Sequence, residues 1–189
     1  MTKRWATLGL YVVALYAFLP LGPRVGLALA GTRAGAWLLG PGLGLLVVAG
    51  TLGLLLRLRR RAAPPAAYIG LVLAGAVYVV AFSWLRVVWL ERTHLPEYGI
   101  AAVLAWRAVA PLVPGAGRGY VAGAALGSAI GYGDELLQVV VPGRHYDLRD
   151  VAMNALGAVL GMVVLAAAQS GRPAAPVAGD GGVRVPDER

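Results

Sequence analysis

The 189-residue chain contains no cysteine. That excludes disulfides, thiolate catalysis and cysteine-ligated zinc, and leaves the redox compartment open. Charge is also scarce, at 14% of residues, against about 25% in an ordinary soluble domain. Lysine occurs only at Lys3, so no lysine nucleophile is available within the apolar segments. Asp and Glu are absent from residues 1–90. Six of the nine acids, Glu91, Glu97, Asp134, Glu135, Asp147 and Asp150, fall within 91–150, and the other three lie beyond 170. Acids that only solubilised loops would also occur in the arginine-bearing loops of the first half. Their concentration points to a site in the second half.

What fills the chain instead is apolar: 59% hydrophobic residues and a mean hydropathy of +0.71. So little polar surface cannot cover a soluble particle of this size, which makes the fold class all-α, a polytopic integral membrane helical bundle. Crossing the hydrocarbon takes roughly 20 apolar residues of helix. Six segments are expected to do so: 5–21, 35–56, 67–90, 94–113, 120–141 and 151–169. The second is weakened by Pro41 and nearby glycines, and without it the count is five. Residues 1–90 thus form three generic transmembrane helices and 91–169 three more that carry the polar motifs. Residues 170–189, rich in Gly, Pro and charge without periodicity, read as a disordered cytoplasmic tail. Segment 22–34 is expected to be a connecting loop or a short interfacial helix, and Pro114–Gly119 a turn. Pro20 and Arg24 follow the first span in place of a small-residue cleavage site, so it reads as a retained signal anchor.

Orientation follows the basic residues. With six spans and the N-terminus inside, ten Lys and Arg fall on the inner side and five on the outer, which places both termini in the cytoplasm of a cell-membrane protein. The dense run Arg57, Arg59, Arg60 and Arg61 then sits in an inner loop. There it meets anionic lipid headgroups; membrane lipids are the expected partners and nucleic acid is not.

This topology carries the unusual polar residues to one face. Glu97 and Tyr98 lie one turn below the outer surface. Asp134, Glu135 and Gln138 close the fifth span, Arg144 and Asp147 occupy the outer loop, and Asn154 opens the sixth. Polar groups in lipid are costly and mark functional sites by default. At about 100° per residue, Gly123, Gly127, Gly131, Asp134 and Gln138 share one stripe. Asp150, Asn154, Gly157 and Gly161 share another, and His94, Tyr98, Ala101 and Ala105 a third, with Glu97 at its edge. Small residues four apart let helix backbones approach closely. The stripes are expected to meet, small residues below and polar residues at the outer end, whether the polar residues act as structural glue or as a site.

Four carboxylates so close would repel if all were ionised, so protons, a cation or Arg144 must neutralise them. Arg144 suits bidentate pairing, and Glu135 and Asp150 are the candidate acid–base residues. His94 and His145 could join Glu97, Glu135, Asp147 or Asp150 around a metal, and a carboxylate-rich set would favour Mg or Ca. No dense metal motif and no Gly-rich phosphate loop is present, so no cofactor is called for and a metal is left open.

Glu135, Gln138, Pro142, Arg144, Asp150, Asn154, Gly157 and Gly161 together form a pattern: an acid-x-x-Gln helix end, a Pro-x-Arg loop, then Asp-x-x-x-Asn-x-x-Gly-x-x-x-Gly. Upstream, His94, Glu97, Tyr98 and Gly99 make a His-x-x-Glu-Tyr-Gly segment. Over roughly 91–161 the chain resembles the VanZ-like family of small bacterial membrane proteins, named after a teicoplanin-resistance protein. The resemblance implies a bacterial-type cell membrane and a link to the cell envelope and to glycopeptide resistance, but supplies no reaction. The expected function is to bind or modify a lipid-linked or cell-wall intermediate at the outer polar cluster, with Arg144 on a phosphate or carboxylate. The alternative is a non-catalytic scaffold or partner-docking module. An ion-coupled transporter is disfavoured, because inverted repeats and paired broken helices are not evident.

Overall fold

The structure, a computed structural model, describes residues 1–84, 91–142 and 144–171, and among them every regular element is helical. α1 is Thr2–Phe18 and α2 is Gly22–Ala30. α3, Arg33–Trp37, runs through a π turn, Leu38–Gly42, into α4, Leu43–Arg60. α5 is Pro65–Trp84, α6 is Glu91–Val109 with a 3-10 turn at Ala110–Leu112, α7 is Ala116–Gln138 and α8 is Leu148–Gln169. The last residues of the expected third span (85–90), Gly143 and the tail from 172 lie outside the described residues.

Proline and glycine explain where these elements depart from the expected boundaries. Pro41 lies inside the π turn, where one wider turn absorbs its missing N–H and the helix continues. Segment 22–34 resolves into α2, with proline in its first turn, and into the start of α3, where the Thr32 side chain accepts from Gly35 N at 3.0 Å. The expected turn at Pro114–Gly119 is shorter than the sequence implied. Gly115, at φ 87°, reverses the chain in one residue and frees 116–119 to start α7.

Two helices, Pro65–Ser83 and Leu148–Gln169, are long and apolar enough to cross a membrane, and Thr2–Phe18 with Gly22–Leu29, bent by 69°, would make a third. Six spans are therefore not shown. α4 ends in Arg57, Arg59 and Arg60, and α6 and α7 spend apolarity on glycine and on inward polar residues. The surface pattern still belongs to a bilayer. Asp134, Glu135, Gln138 and Asn154 are buried, while Leu10, Leu27, Leu46, Leu52, Val80 and Val121 are exposed. Water-soluble domains bury such apolar side chains and expose the charged ones.

The centre is the trio α6, α7 and α8. A Cβ on Gly157 would lie 2.5 Å from Leu95 O, and one on Gly161 2.5 Å from Gly99 O, so α8 meets α6 backbone to backbone. On α7, a Cβ on Gly127 would lie 2.7 Å from Ala102 Cβ, and one on Gly131 2.6 Å from Asn154 Cβ. The three stripes do meet. α1 is tied on by Tyr11, which donates to Glu97 O at 2.9 Å, and Tyr16, which donates to Ile130 O at 2.7 Å. α5 covers α8, and α4 covers α5.

The bundle has two unlike ends. Arg4 donates to Arg107 O at 3.4 Å, Lys3 lines the same small cavity, and Gly171 lies against Arg61. These contacts gather the start of α1 and the ends of α4, α6 and α8 at a basic end. Glu97, Asp134, Glu135 and Asp150 lie at the opposite one.

Candidate functional site

At that opposite end α6 presents His94, Glu97 and Tyr98 within one helical turn, which puts them on one side of the helix. α7 contributes Asp134, Glu135 and Gln138 from its last turns, and α8 Asp150 and Asn154 from its first. Gly131 and Gly157 allow this by bringing α7 and α8 close to Tyr98 and Leu95. Tyr98, Asp134, Glu135, Gln138 and Asn154 are all at most 2% exposed, so the cluster is an interior one.

Its hydrogen bonds are few. Gln138 Nε2 donates to Glu135 Oε1 at 2.5 Å and to Asp134 Oδ2 at 3.3 Å. The Asp147 N–H donates to Glu135 Oε2 at 3.3 Å, while the Asp147 carboxylate caps α8 by accepting from Arg149 N at 2.7 Å. Asn154 Nδ2 donates to Gly131 O at 3.1 Å and bolts α8 to α7. Tyr98 faces Asp134, yet the Tyr98 hydroxyl and Asp134 Oδ1 lack a hydrogen bond of good geometry. His94 Nδ1, Arg144 Nε and Asn154 Oδ1 are likewise buried without a partner. Buried polar atoms are normally satisfied, so His94 Nδ1, Arg144 Nε and Asn154 Oδ1 leave hydrogen-bonding capacity open in one cluster.

Arg144 was expected to pair with the acids. It lies within electrostatic reach of His94, Asp134, Glu135 and Asp150, but its Nε is left unbonded. Its side chain lines a cavity of about 170 Å³ with Thr93, His94, Glu97 and Asp134. The remaining wall is Leu15, Phe18, Leu19, Gly22, Val25, Gly26 and Leu29, from α1, α2 and their bend. Sequence reasoning missed this wall, because apolar residues there carry no chemical signature.

Among the described residues, one group is spaced for a metal: His94, Glu135 and Asp150, whose donor atoms lie within 4.8 Å of one another. His145 is exposed on the loop. Neither it nor Glu97 or Asp147 belongs to that group.

A bundle that buries its charge at one end and turns leucine and valine outward is a helical membrane protein with an internal polar site. The VanZ/LLP1 family model matches residues 12–169, and the chain belongs to that family. The match takes in the last seven residues of α1 and all of α2 to α5 as well as the motif region. No curated protein and no solved structure matches the chain.

Proposed function

We propose that this VanZ/LLP1 protein is a six-pass protein of the cell membrane, both termini cytoplasmic, whose outer-end cluster binds a lipid-linked intermediate of the cell envelope. The observation that carries the proposal is the two-sided cavity. One end offers Arg144, His94 and Thr93 together with the carboxyl groups of Glu97 and Asp134, and the other only the apolar wall of α1 and α2. An anionic head with a hydrocarbon tail fits both halves once protons or a cation neutralise those two acids. The planar guanidinium suits two oxygens of a phosphate, and the tail replaces water against leucine, valine and phenylalanine. The volume suits a phosphate and the first carbons of the chain, with the rest lying along the apolar exterior. Glu135 and Asp150, whose donor atoms lie within 4.8 Å of that of His94, would polarise the head or exchange a proton with it. The basic end fits the cytoplasmic side under the positive-inside rule, which supports an outward-facing cluster. Family membership supports glycopeptide resistance as the phenotype to read.

The test is binding of a polyprenyl phosphate and of the matching polyprenol to the full chain in detergent. The phosphate should bind at least tenfold more tightly, and Arg144→Lys should remove that preference while leaving folded yield unchanged. Equal affinity for the two lipids would overturn the proposal. The second reading is a non-catalytic scaffold or docking module, favoured by the bond from Asn154 to Gly131 O, which serves only to join two helices.

A further inference from the structure

We propose that His94, Glu135 and Asp150 form a binding site for one divalent metal ion. Each comes from a different helix, and their donor atoms lie within 4.8 Å of one another. Modest side-chain rotation closes such a triangle around one ion. The trio is more than an acidic cluster. His94 is 8% exposed, and its Nδ1 is buried with no hydrogen-bond partner. A neutral imidazole has one donor and one acceptor nitrogen to satisfy, so a buried ring with an idle nitrogen beside two carboxylates is placed as a ligand.

Glu135 is prepared in the same sense. Gln138 holds Oε1 and the Asp147 N–H holds Oε2, which fixes the carboxylate and leaves each oxygen a further lone pair. Metal-bound carboxylates are typically oriented by such outer partners. Charge argues the same way. Asp134 is 1% exposed and adjoins Glu135, so the trio's carboxylates and a third acid face Arg144, with Arg149 near Asp150 as a second cation.

The donor set selects the ion. Mg²⁺ and Ca²⁺ prefer oxygen alone, whereas one imidazole with two carboxylates suits Zn²⁺ or Mn²⁺, with remaining positions open to water or ligand. This shifts the sequence expectation of a carboxylate-rich Mg or Ca site, because His94 enters the set while Glu97 and Asp147 stay outside it. The inference stands on these donors, whichever molecule fills the adjoining cavity.

The experiment uses the full chain in detergent, without a polyhistidine tag, stripped by chelator and titrated calorimetrically with Zn²⁺ and separately with Mn²⁺. One Zn²⁺ per chain is expected, with Mn²⁺ binding more weakly. His94→Gln and Asp150→Asn should each weaken Zn²⁺ at least tenfold in protein whose circular dichroism is unchanged, and His145→Gln should have no effect. The chain has two histidines, which permits a second readout that does not require the site variants to fold. In ¹⁵N-histidine-labelled wild type, Zn²⁺ should move the His94 signals, and His145→Gln assigns the other set. Three results would each overturn the site: no bound ion in wild type, unchanged affinity in folded His94→Gln and Asp150→Asn, or shifts confined to His145.

Discussion

Replacing Gly161 with leucine tests the packing that places the site. Its Cβ would sit 2.5 Å from Gly99 O and 2.7 Å from Gly99 Cα, where ordinary contact begins at 3.4 Å. Both obstacles are backbone, so no side-chain rotation relieves them. α6 and α8 must part by roughly 0.9 Å, a gap of the size that forfeits about a quarter to a half of the dispersion attraction across it. The rest of the leucine side chain demands more. Overpacking of this kind costs about 1–3 kcal/mol, and a backbone-to-backbone crossing belongs at the top of that range. At about 2–4 °C per kcal/mol for a chain of this length, the midpoint should fall by about 6–12 °C. Gly53→Leu is the control, since Gly53 has nothing within 4 Å of a built Cβ and faces outward. Its midpoint should stay within a degree or two of wild type. The assay is thermal unfolding in detergent followed by circular dichroism. Equal midpoints for the two variants would falsify the close approach of α6 and α8.

Glu135→Gln and Arg144→Lys separate site from scaffold. If the cluster binds or transforms a ligand, glycopeptide resistance should be lost while folded protein still accumulates in the membrane. If it is structural, yield and resistance should fall together, because breaking a buried charge pair costs about 3–5 kcal/mol. His145→Cys, in a chain with no other cysteine, should react with a membrane-impermeant thiol reagent on intact cells. Reaction only after the inner face is opened would reverse the orientation.

The three-helix core was legible because its signal is periodic. Gly123, Gly127 and Gly131 recur every four residues, and Asp150, Asn154, Gly157 and Gly161 lie along one helical stripe, so rotation per residue was enough to face them together. The selection within the polar cluster was not legible. His94 and His145 look alike in sequence, and only the packing of α6 against α8 turns one inward and leaves the other exposed. Asp147 reads as one more carboxylate, yet its position just before Leu148 makes it a helix cap, a role that the Asp-x-x-Asp spacing could have suggested. The cavity wall of Leu15, Phe18 and Val25 had no signal, since apolar residues in a membrane helix look the same facing lipid or ligand. The π turn at Pro41 shows the other limit: a proline that weakened the second span on paper is absorbed by one widened turn.

The backbone contacts at Gly157 and Gly161 also decide how many ways in the cluster has. Helices that touch carbonyl to Cα have no side-chain layer to repack, so α6 and α8 cannot rock past each other without first coming apart. Beneath the carboxylates the trio is therefore a plug. Whatever reaches His94 and Arg144 arrives from the polar end of the bundle or sideways past the α1–α2 bend. A vestibule closed below by this crossing suits a ligand that is handled in place at one end of the bundle.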